Sequence, residues 1–145
     1  MVQTQSNPEV KQEVQLKRWT VEEYHRLIQA EILTAEDHVE LLDGYIIERV
    51  PQDLPHASIT DDLSDDLKAI LRGRAKVRAQ LPITIAPNSE PEPDIAIVRI
   101  DQRRYRDRHP NPNDVYLIIE VADSTFRSDR THKIKIYAKA NIPEY

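Results

Sequence analysis

The chain has 145 residues, 39% of them hydrophobic and 31% charged, with no cysteine and a formal net charge of −5. That suits a single globular domain and excludes disulfides and thiolate metal ligation; no apolar run approaches a membrane span, and residues 1–15 lack a signal peptide's basic start and apolar stretch. A cytoplasmic location is the default expectation, and the acidic balance argues against a surface coated for nucleic acid while leaving room for a local basic patch.

Residues 1–17 are polar and aperiodic, and are expected to form a frayed arm ahead of a domain spanning 18–145. Thr20 followed by Glu23 is a capping box, with Trp19 and Tyr24 placed as the hydrophobic staple. Tyr24, Leu27 and Ile28 give the helix that follows one apolar stripe, and a second helical turn is expected at Thr34. Asp43-Gly44 between the β-prone runs 39–42 and 45–48 predicts a hairpin, because both turn residues must accept positive φ. From Leu54 to Arg72, Ile59, Leu63, Leu67 and Ile70 recur at helical spacing, which predicts an amphipathic helix with that stripe inward and Gly73 as its stop.

Residues 76–86 read as a strand ending at Pro87, followed by a proline-rich acidic loop that leads into a short strand, 94–98. Residues 101–114 read as a basic loop, and 116–121 as the most apolar strand, covered on both faces. A last helix is expected from Ser128 to Ala140, closed by Asn141 and Pro143. The sum is an α/β (α+β) domain: a sheet with helices packed on it, preceded by a helix and a hairpin.

Two carboxylates fall where burial should forbid them. Asp94 opens an apolar strand, and Glu120 ends Leu117-Ile118-Ile119. An unpaired buried carboxylate costs several kcal/mol, so each needs a cation, a proton or hydrogen-bond donors. If the two strands are antiparallel neighbours, the start of one meets the end of the other, and the acids converge on a point suited to Mg²⁺ or Mn²⁺. The plainer alternative for either acid alone is a strand-end carboxylate bound by backbone amides or an arginine.

Lys133 falls within the last helix's apolar arc, between Tyr137 and Ala140 with Ile134 close by, whereas His132, Lys135 and Lys139 point away. A lysine there either seeks a carboxylate or runs its stem along the sheet to water. Arg130 shares the arc as a candidate phosphate contact. His56, three residues before Ile59, is a candidate base or phosphate contact or else a structural hydrogen bonder, and Glu48 on the hairpin is a further candidate acid. Glu90 and Glu92 read as loop acids. Basic clusters at 72–78 and 99–108, the second containing Tyr105, either grip phosphates or are simply solvated.

The strings Glu40-Leu41-Leu42-Asp43-Gly44, His56-Ala57, Glu92-Pro93-Asp94-Ile95-Ala96 and Ile119-Glu120-Val121 resemble the Uma-type family of bacterial restriction-endonuclease-like proteins. So do Ser124-Thr125, Asp129-Arg130, Lys133, Tyr137 and the closing Ile142-Pro143-Glu144-Tyr145, in the family's order from about residue 18 onward. That family is similar to the PD-(D/E)xK phosphodiesterases. The resemblance implies a restriction-endonuclease-like mixed sheet flanked by helices, with Pro93-Asp94 as the PD element and Glu120 as the second acid. Ala122 stands where a strand lysine is usual, and Lys133 takes its place from the following helix. The resemblance further implies a Mg²⁺- or Mn²⁺-dependent endonuclease, double-stranded DNA as substrate and a homodimer whose two sites address two strands. Relatives continue after Pro-Glu-Tyr into a Trp and another strand, so C-terminal strands are expected to be missing from this sequence. Two rivals stay open: a nuclease-fold binding or interaction module that does not cut, and a metal-dependent nucleotide phosphohydrolase.

Overall fold

The computed structural model describes residues 14–122 and 127–145, with backbone alone for 127–129. Residues 1–13 of the expected arm, Ser124-Thr125 and the side chain of Asp129 lie outside the described residues.

Helix α1 (Val21–Gln29) starts where the capping box placed it: Thr20 Oγ1 accepts from Glu23 N at 3.1 Å, and Glu23 Oε2 accepts from Thr20 N at 2.9 Å. Trp19 packs into a small cluster with Val21, Tyr24 and Leu41, as the staple requires. A 3₁₀ turn at Ala35–Asp37 is capped by Thr34. Strands β1 (Val39–Leu42) and β2 (Tyr45–Glu48) pair antiparallel around Asp43 and Gly44, at φ +48° and +84°. A Cβ on Gly44 would also lie 2.8 Å from the Arg18 Cβ, so glycine is required there for both conformation and space.

Helix α2 (Leu54–Ile70) is capped by Asp53, whose carboxylate accepts from His56 N at 3.0 Å. Its orientation corrects the sequence reading. Thr60 and Ser64 are the buried positions, while Ile59 and Ile70 are 54% and 63% exposed, with Leu63 and Leu67 half-buried between. The small side chains face the sheet, where bulky ones would hold the helix off, and the apolar row turns to the flank. His56 therefore lies on the inward face one turn before Thr60 rather than extending the Ile59 row.

Strands β3 (Lys76–Ala79), β4 (Ile95–Val98) and β5 (Val115–Ile119) form an antiparallel sheet in the order β3-β4-β5. The helices-and-sheet class holds, but the strands divide into two antiparallel sheets rather than one mixed sheet among the described residues. β3 is shorter than the expected 76–86 strand because Gln80 turns to φ +52°. The chain then doubles back, with Ile85 and Ser89 exchanging backbone hydrogen bonds, and Glu90 N donates to Leu41 O at 2.7 Å, tying this excursion to β1. All four residues of β4 are buried. β5 is covered on one face only in part, since Tyr116 is 42% exposed; Ile118 N donates to Glu144 O at its outer edge.

Helix α3 (Arg127–Lys139) lays Ile136 and Tyr137 into the main core with Leu42, Ile83, Val98, Val115 and Ile118. Ile136, not Ile134, fills that face; Ile134 is 41% exposed. Asn141 at φ +56° ends the helix, as its sequence position suggests. Among the described residues no helix is long and apolar enough to cross a membrane.

Candidate active site

The register of β4 on β5 decides the geometry. Ile95 opposes Ile119, so Asp94, one residue before β4, faces Glu120, one residue after β5. Backbone bonds lock the two ends together: Asp94 N donates to Glu120 Oε2 at 3.3 Å, and Val121 N donates to Asp94 Oδ2 at 2.7 Å. Both side chains are mostly buried, 13% and 16% exposed, and both line one cavity of about 340 Å³.

Lys133, 7% exposed on α3, enters the same cavity. Its Nζ donates to Glu92 O at 3.1 Å and lies 3.2 Å from Glu40 Oε1 and 3.7 Å from Glu120 Oε1. The ammonium thus faces two buried carboxylates, as its position in an apolar arc demands. Tyr137, one turn along α3, donates its hydroxyl to Glu120 Oε1 at 2.6 Å. Burial pushes the Glu120 carboxyl up to about 7, against the pull of Lys133 and the Tyr137 bond, with the nearby Asp94 charge adding to the rise. Burial likewise raises Glu92 above the ordinary carboxylate range, opposed by its ion pair with Arg49.

Asp94 has two further partners. Gln52 Nε2 donates to Oδ1 at 2.6 Å from the loop before α2, and His56 Nε2 lies 3.2 Å from Oδ2. His56 therefore belongs to the site, held against an acid rather than facing open space, and Arg130 lines the same cavity. Glu48 does not join them: it is exposed at the end of β2 and absent from the cavity wall. Strand alternation explains this, because Glu40, not Glu48, falls on the inward side of the hairpin.

Glu40 is the residue that sequence reasoning missed. It is 1% exposed, and besides facing Lys133 it accepts from Glu92 N at 2.8 Å. The signal was present: an acid inside Val39-Glu40-Leu41-Leu42 breaks the same burial rule that singled out Asp94 and Glu120. Glu92, a loop acid by its sequence context, lines the cavity, whereas Gln52 and Arg49 carried no local signal.

Among the described residues no three histidine or acidic side chains are arranged around one point as a metal cage. Asp94 and Glu120 instead offer a pair of hard oxygen donors, the arrangement that suits an octahedral ion retaining several waters.

A family model described as "Uma2: Putative restriction endonuclease" matches residues 21–145. Among solved structures, a putative nuclease belonging to DUF820 from Anabaena variabilis ATCC 29413 is similar, at 15% identity and a TM-score of 0.59. The match covers 82% of this chain and 68% of that one, and at this identity it shows a shared fold. No curated protein matches.

Proposed function

Because the chain belongs to the Uma2 family of putative restriction endonucleases, we propose that it is a Mg²⁺- or Mn²⁺-dependent nuclease hydrolysing phosphodiester bonds in double-stranded DNA. The observation that carries this reading is the convergence of Asp94, Glu120 and Lys133 on one cavity.

Asp94 and Glu120 would hold the ion through carboxylate oxygens. Bound there, it would supply Lewis-acid polarisation of the phosphoryl group and a more acidic attacking water. The chain's own groups do the positioning. Tyr137 and the Asp94 amide fix the Glu120 carboxylate, and Gln52 and the Val121 amide fix that of Asp94. Lys133, anchored by Glu40 and the Glu92 carbonyl, would stabilise the charge that grows on a phosphoryl oxygen in the transition state. Arg130, on the cavity wall, would contact a non-bridging phosphate oxygen. His56 acts by orienting Asp94 rather than as the base, since the ring nitrogen nearest the site is committed to that carboxylate. Two copies acting together would address the two strands of a duplex.

A plasmid-nicking assay tests the proposal. The parent is expected to nick supercoiled DNA with Mg²⁺ or Mn²⁺ and not with EDTA. Asp94→Ala and Glu120→Ala should each lower the rate by at least about 100-fold, the scale on which loss of one preorganised transition-state contact is felt. Nicking unchanged by either substitution would reject the assignment. Tight duplex binding without nicking would identify a binding module, and release of phosphate from free nucleotides alone would identify a nucleotide phosphohydrolase.

A further inference from the structure

A second cavity, of about 510 Å³, opens between α1 and the 101–114 loop, away from the carboxylate pair. Its wall includes His25, Tyr105, Arg106, Asp107, Arg108 and His109. The charges around it are unevenly paired.

The acids here are all engaged. Glu90, 3% exposed, takes His25 Nε2 at 2.8 Å and the Thr84 hydroxyl at 2.7 Å. Asp107 pairs with Arg103 at 2.8 Å, and Asp101 and Asp114 pair with Arg108 at 3.5 and 2.5 Å. Two arginines stand outside these ion pairs. Arg106, on the wall, is exposed and has no carboxylate at ion-pair distance among the described residues. Arg78, 6% exposed, stands directly behind the wall: its Nη2 is 3.5 Å from His109 Nδ1, and its guanidinium lies 5.4 Å from the Tyr105 ring centre.

Arg78 is the stronger observation. Its neighbours are the Pro82 carbonyl at 3.3 Å, an imidazole and an aromatic face, with no anion, and its Nε is buried without a hydrogen-bond partner. A buried guanidinium without a countercharge costs several kcal/mol, which an apolar residue of the same size would avoid. Burial and the neighbouring Arg78 and His25 also hold the His109 imidazole below its ordinary range, against the attraction of Glu90. An anion in the cavity would relieve both.

We propose that this cavity binds a phosphoryl oxyanion, received by Arg106, His109 and the field of the buried Arg78. The inference does not rest on the nuclease reading: it requires no metal and no cleavage. Two sources supply this chemistry, a free phosphate or mononucleotide and the backbone of a nucleic acid.

The test uses the whole chain in EDTA, titrated separately with inorganic phosphate and with a short DNA duplex, while the imidazole resonances of all five histidines are followed. His25 and His109 are expected to shift saturably, with His56 as the reporter for the carboxylate site. Arg106→Ser combined with His109→Gln should weaken the response at least about tenfold, as loss of charge-assisted contacts does. Arg78→Met should bind as weakly while melting no lower than the parent; should it fail to fold, the double variant at the more accessible positions decides alone. A response to phosphate assigns a free-anion site, and a response to duplex alone assigns a backbone contact; either supports the proposal. No shift at His25 and His109 with both probes, or parental binding by the double variant, overturns it.

Discussion

Lys133→Ala should cost the fold about 3–5 kcal/mol and remove cleavage, because the substitution takes a buried ammonium from beside Glu40, 1% exposed, and from beside Glu120. The loss comes from weakened balance among buried charges more than from the missing stem. A double variant separates the two roles: Lys133→Met with Glu40→Gln neutralises both partners at nearly constant volume. It should recover most of the lost stability in urea denaturation and still fail to nick DNA. Recovery of both would make the pair a structural ion pair. Recovery of neither would show that the lysine stabilises the fold through its hydrogen bond to the Glu92 carbonyl and not through charge balance with Glu40.

The second large effect is a pH dependence that runs opposite to that of an ordinary carboxylate. Folding raises the Glu120 carboxyl from 4.5 to about 7. A raised acid binds more protons in the folded than in the unfolded chain between those values. Its contribution is therefore complete below 4.5 and is lost as pH climbs through about 7. The full loss is on the order of 3 kcal/mol. The clean measurement is the difference in unfolding free energy between parent and Glu120→Gln, both metal-free, at pH 5 and pH 8. The parent should weaken relative to the variant across that interval. Parallel pH profiles would mean that Glu120 is ionised at the lower pH, with Lys133 outweighing burial. Divalent ions should reverse the trend, since the ligand must be ionised to bind them.

The carboxylate site was legible because its residues violate a rule that the rest of the chain obeys. Asp94 and Glu120 interrupt apolar strands, and Lys133 interrupts an apolar helix face; each exception called for a partner, and the fold brings the exceptions together. The hairpin and the first helix were legible because their signals are local, in Asp43-Gly44 and in Thr20 with Glu23. What was hidden depends on partners distant in sequence. The face α2 presents is set by how closely β3 can approach, so Thr60 and Ser64 win over a row of larger apolar residues that periodicity favours. The end of β3 is set by one residue, Gln80, in a left-handed conformation that nothing nearby announces. Glu48 stood out before Glu40, although Glu40 lies in the more apolar strand, because sequence alone does not say which side of the hairpin faces α3. The basic loop shows the same limit from another direction. Its arginines read alike in sequence, yet Arg108 is tied to two aspartates and Arg106 is left over.

All of the proposed chemistry depends on one cation shared by Asp94 and Glu120. The most direct measurement is a crystal structure of the protein soaked in Mn²⁺, read from the anomalous signal. A peak within coordination distance of both carboxylates, with Lys133 still seated beside Glu40, is the predicted result. Full Mn²⁺ loading elsewhere on the chain, with this pair bare, would contradict it.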